Sequence, residues 1–143
     1  MIALHPPLSG APLSFVVLLV MIEALSITRV GRSLSSFRSV VVVAVVAATF
    51  ASFFSGYQAV SDLGEIPEAT SSLISEHHSI GRLILFNSVF LATTFWISKV
   101  ATHGRPLFYG MYYVALAVQL ALAVWVGFLG GRLVFTHGIG VLR

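Results

Sequence analysis

Four apolar runs dominate the chain, at residues 11–28, 39–60, 80–100 and 107–129, and short polar connections separate them. Each run approaches or exceeds the ~20 residues that a helix needs to cross about 30 Å of hydrocarbon. The valine-rich stretch at residues 40–46 would favour a strand in water. In lipid, every backbone polar group must be satisfied within its own segment, so runs of this length read as helices. The short connections predict an all-α, four-helix antiparallel transmembrane bundle in one domain, followed by an interfacial tail at 130–143.

Residues 1–9 carry no Lys or Arg, and the first basic residues follow the first apolar run. That order does not suit a cleaved signal peptide, so the run is retained as a helix. Arg29, Arg32, Arg38, Lys99 and Arg105 fall in the first and third connections, whereas Arg82, Arg132 and Arg143 fall on the other side. The bias puts both termini and the second connection outside, in the periplasm for a multi-pass protein of the bacterial inner membrane. Tyr57 and Trp125 then mark the outer interface, and Trp96, Tyr109, Tyr112 and Tyr113 the inner one. Small residues recur along the second helix (Ala48, Ser52, Gly56) and the fourth (Ala117, Ala121, Ala123), where they would let helix backbones approach closely.

Composition agrees with the pattern. The chain is 57% hydrophobic and 9% charged, with a mean hydropathy of +0.97, against about 25% charged residues in a typical soluble domain. The net charge of +3 is scattered among short loops, so it reads as membrane topology and gives no nucleic-acid surface. Cysteine is absent, which excludes disulfides, thiolate metal sites, iron–sulfur clusters and covalently attached c-type haem. No P-loop, nucleophile elbow, zinc-protease helix or dinucleotide fingerprint is present, so no catalytic residues are assigned.

The candidate chemistry lies in histidines and acids. On the expected topology His5, His77, His78 and His137 all reach the outer face, with His77 and His78 just before helix three. Asp62, Glu65, Glu68 and Glu76 share that face, and His103 alone lies inside. Imidazoles from separate helix ends are the ingredients of a haem or metal site. The paired glycines Gly130 and Gly131 are expected to break helix four, letting the tail carry His137 back toward the other histidines. Glu23 sits within helix one, where a carboxylate is costly unless partnered. Its expected partner is Arg38 or Lys99, with protonation as the alternative. Asn87 and Gln119, also intramembrane, are expected to hydrogen-bond between helices.

These residues give the chain a resemblance to the bacterial membrane proteins of domain-of-unknown-function family 2231. It rests on His5-Pro6 before helix one, Asp62 after helix two, His78 before helix three, and Gly130-Gly131 with His137-Gly138-Ile139-Gly140-Val141 at the end. The family's opening carries a second histidine where this chain has Gly10. The resemblance implies a four-helix membrane fold and points to the outer-face histidines, without supplying an activity.

Three readings remain open. The first is a haem b electron-transfer subunit using His5, His78 and His137. The second is a metal or proton-handling protein using His5, His77, His78, His137 and Asp62. The third is a non-catalytic accessory subunit bound to other membrane or periplasmic proteins.

Overall fold

The computed structural model describes residues 8–26, 28, 33–61 and 68–139. These residues contain no strand and form four long helices: α1 (Ala11–Leu25), α2 (Arg38–Ser61), α3 (Glu68–Val100) and α4 (Arg105–Phe135). A 3-10 turn at Ser35–Phe37 leads into α2. Helices α2, α3 and α4 are long and apolar enough to cross a membrane, whereas α1 is apolar but shorter, at 15 residues. Each helix packs beside the next in sequence, and α1 closes the ring against α4. The start of α1 and α3 and the finish of α2 and α4 therefore share one end of the bundle, here the upper end.

Helix α1 ends at Leu25, three residues before the end of the first apolar run, and two larger differences lie at the upper end. Helix α3 begins at Glu68, so it starts well before residue 80 and contains His77 and His78. Residues 68–79 are too polar to read as a span, yet Thr70, Leu73 and Ile74 are buried at helical spacing. The segment is thus an amphipathic extension of the helix. Helix α4 runs unbroken through Gly130 and Gly131 to Phe135. Glycine inside a helix costs about 1 kcal/mol relative to alanine, and two such costs do not outweigh a 31-residue helix packed along α3. The expected break comes later, where Gly138 adopts φ 65°. There the Gly138 N–H donates to Val134 O and the Ile139 N–H to Leu133 O, each at 3.0 Å.

The lower half of the bundle is closely packed. Val16, Leu19 and Ile22 of α1 meet Val41, Val42 and Val45 of α2, Leu91 and Phe95 of α3, and Tyr112, Ala115 and Leu116 of α4. A smaller cluster closes the upper end, with Leu73, Ile74, Leu129 and Leu133 packed against Val60, Ile80 and Ile139. The lower turn between α3 and α4 needs Gly104, which precedes α4 at φ 69° and so takes a left-handed conformation unfavourable for other residues.

Between the two clusters α3 and α4 are joined by side chains. Asn87 Nδ2 donates to Gln119 Oε1 at 2.7 Å and to Ala115 O at 2.9 Å. Gln119 is fully buried. Interhelical bonds of this kind average about 0.6 kcal/mol in a membrane bundle and reach about 1.7. Gln119→Leu is therefore expected to lower unfolding stability in mixed micelles by less than about 2 kcal/mol, because Asn87 keeps Ala115 O. A loss of twice that would show that Gln119 holds more than this pair.

Candidate functional site

The bundle is hollow in its upper half. A cavity of about 430 Å³ lies above the packed core, reached by all four helices. The start of α1 (Ser9 to Leu13) forms part of the rim, and Thr49, Ile84 and Ala123 are among its deeper lining residues. Small residues create much of the space: Ser52, Gly56 and Ala59 on α2, Gly81 on α3, and Gly127, Gly130 and Gly131 on α4. The stripe Ser52–Gly56 thus lines a cavity, whereas close helix contact was the expectation. On α4, Ala117 and Ala121 face outward and only Ala123 of that set is buried.

His77 and His78 both line this cavity. Neither precedes α3 as the sequence pattern implied; both project from within it. Successive helical residues diverge by about 100°, and the two rings, 6.4 Å apart between centroids, accordingly face different neighbours. His77 lies against α4, and a methyl group at Gly130 would stand 3.3 Å from its Cε1. Its Nδ1 is buried. His78 stacks on Tyr57 of α2, with centroids 6.3 Å apart and planes 23° from parallel. Gly130 is therefore the residue that makes room for the His77 ring.

His137 is half-buried in the turn after α4 and is not among the lining residues, although Val134, one turn below it, is. The route expected for His137, through a helix broken at Gly130-Gly131, does not exist. His5 and Asp62 lie outside the described residues. Among the described residues no group of three or more His, Cys, Asp or Glu is placed to hold a metal ion. The metal set His5, His77, His78, His137 and Asp62 therefore has no coordination cluster among its three described members.

A second polar cluster closes the lower half. Glu23 is buried in α1, and Arg38 Nε of α2 lies 3.3 Å from its Oε1. Tyr112 donates to Oε1 at 2.9 Å and Tyr113 to Oε2 at 3.1 Å. Of the two cationic partners expected for Glu23, the ion pair goes to Arg38. Lys99 donates to Ser39 Oγ at 2.8 Å and lies over the rings of Phe95 and Trp96. Tyr112 and Tyr113 were legible only as interface aromatics. The signal for an inward Tyr112 was its place on one α4 face with Ala115, Leu116, Gln119 and Ala123, all buried.

The chain was compared with protein-family models, curated proteins and solved structures, and none matches it.

Proposed function

We propose that the protein is a small membrane subunit that holds one bulky, mostly apolar cofactor, haem b, in the upper cavity and serves electron transfer at the outer membrane face. One observation carries the reading: two imidazoles project into an otherwise largely apolar space opened by glycines on α3 and α4. Haem b needs a flat apolar slot and one or two neutral imidazole ligands. The donor set suits it better than a bare metal, which requires more ligands than the described residues bring together. Because His77 and His78 are consecutive on one helix, they do not serve opposite faces of one iron. One of them is the α3 ligand. His137, near the rim, and His5, four residues before Ser9 in sequence, are the candidates for the other face. When bound, haem supplies a one-electron redox centre. The protein excludes water through the Leu73–Leu133 cluster and holds the α3 imidazole between α2 and α4.

The membrane placement belongs to the same reading. The upper end is outer, because Arg29, Arg32, Arg38, Lys99 and Arg105 belong to the lower end or its connections and the lower end is cytoplasmic. Helix α1 spans about 22 Å at 1.5 Å per residue, so local thinning of the bilayer or the flanking residues would make up its length. A place in domain-of-unknown-function family 2231, proposed from His5, His78 and His137, would imply the same four-span arrangement.

The experiment is a ligand series on purified full-length protein, with bound haem measured against protein by its absorption. His77→Ala or His78→Ala, whichever removes the α3 ligand, is expected to lower occupancy at least tenfold, while the other lowers it less. Helix content should remain unchanged in both. Full occupancy in the His77→Ala/His78→Ala double variant would sink the assignment. A cavity that instead retains lipid or quinone, detected by extraction and mass spectrometry, would assign it to an iron-free apolar ligand.

A further inference from the structure

Three cations belong to the lower end, where α2 begins, α3 ends and α4 begins. Lys99 Nζ reaches across to Ser39 Oγ at 2.8 Å, beside Arg38. Arg105 Nε donates at 3.1 Å to the carbonyl oxygen of Ser98, the residue before Lys99. Among the described residues, Arg38 alone of the three has a carboxylate partner, Glu23. Among the described residues Lys99 and Arg105 have none, and both are exposed. Lys99 is held by a neutral hydroxyl and by the faces of Phe95 and Trp96, 4.5 and 5.3 Å from the ring centroids. Arg105 lies over Tyr109 at 5.7 Å. Aromatic faces and hydroxyls fix the position of a cation without neutralising it. Long exposed apolar side chains, Val100 and Leu107, flank the same joint.

We propose that this joint is a binding site for the phosphate of an anionic phospholipid in the inner leaflet, with Lys99 and Arg105 as its cationic ligands and Trp96 packed along the lipid's glycerol region. The occupant follows from charge complementarity at headgroup depth. A lipid phosphate provides the missing negative charge, and its acyl chains cover the apolar flank that a soluble anion would leave exposed. The site rests on the proposed placement of the lower end at the inner leaflet, but it shares no residue with the upper cavity and does not depend on haem being bound there.

Trp96 makes the test direct, because the chain has two tryptophans and Trp125→Phe leaves Trp96 as the sole tryptophan, which is excited selectively at wavelengths where tyrosine does not absorb. Full-length Trp125→Phe protein is reconstituted into phosphatidylcholine vesicles. Each preparation contains the same mole fraction of brominated phosphatidylglycerol or brominated phosphatidylcholine. Brominated phosphatidylglycerol is expected to quench Trp96 preferentially, corresponding to about fivefold local enrichment for each cation engaged. Adding Lys99→Gln and Arg105→Gln should equalise the two lipids. Equal quenching before those substitutions would overturn the proposal. A preference that persists after them would show that the lipid binds elsewhere and overturn this site as well. Circular dichroism of the substituted protein confirms that its helices are retained.

Discussion

Glu23→Leu is expected to cost about 3–5 kcal/mol of unfolding stability, the range for removing one partner of a buried ion pair. The loss is large because three groups are stranded together: the Arg38 guanidinium and the hydroxyls of Tyr112 and Tyr113 all address this carboxylate. Glu23 and Tyr112 are 9% and 1% exposed and the Arg38 side chain 20%, so the cost falls mainly on the Arg38 and Tyr112 donors, whereas Tyr113, 47% exposed, contributes less. The cluster ties α1 to α2 and α4 at the lower end, and α1 is the shortest of the four long helices. Unfolding in mixed micelles checks the value. Glu23→Leu with Arg38→Leu should recover part of the loss, because an absent pair costs less than a broken one. If the double variant is no more stable than Glu23→Leu alone, the ion pair is not what is being measured, and packing of α1 would be the cause.

The second large effect is expected at Gly130. Gly130→Leu should lower haem occupancy at least tenfold without unfolding the bundle. Among the described residues, the neighbours within 4 Å of a Cβ at this position are atoms of the His77 ring, at 3.3 and 3.8 Å. A leucine is therefore expected to displace the imidazole and occupy part of the cavity. The substitution also improves local helix propensity, by somewhat less than the about 0.8–1 kcal/mol that separates glycine from alanine, which works against unfolding as an explanation. Haem content against circular dichroism separates the two. Unchanged occupancy would mean that the ligand neither touches His77 nor lies along this face of α4.

The sequence was informative where burial follows hydrophobicity. The lower ends of α2, α3 and α4 to within two residues, the largely apolar α2 (Arg38–Ser61) and the need for a cationic partner at Glu23 could be read from residue types and lengths alone. The upper end was not legible in the same way. Residues 68–79 are rich in Ser, Glu and His, and only the 3–4-residue spacing of Thr70, Leu73, Ile74 and His77 betrays a helix there. Gly130 and Gly131 carry a breaking signal that the local sequence does not resolve. Their effect depends on whether a neighbour fills the space left by the missing side chains, and here His77 does.

The same ambiguity affected the histidines. A pair at residues 77 and 78 looks identical in sequence whether it precedes a helix or projects from one. Only the early start of α3 brings both rings into the cavity, while the unbroken α4 leaves His137 outside its lining. Choosing between Arg38 and Lys99 for Glu23 likewise needed the bundle, because Lys99 is drawn to Ser39 and two aromatic faces.

The most direct test of the haem assignment is a visible absorption spectrum of the detergent-purified protein, oxidised and then reduced with dithionite, from cells supplied with haem precursor. The expected result is a Soret band with α and β bands that sharpen on reduction, at about one haem per chain or per pair of chains. A featureless visible spectrum from protein with intact helices would contradict it.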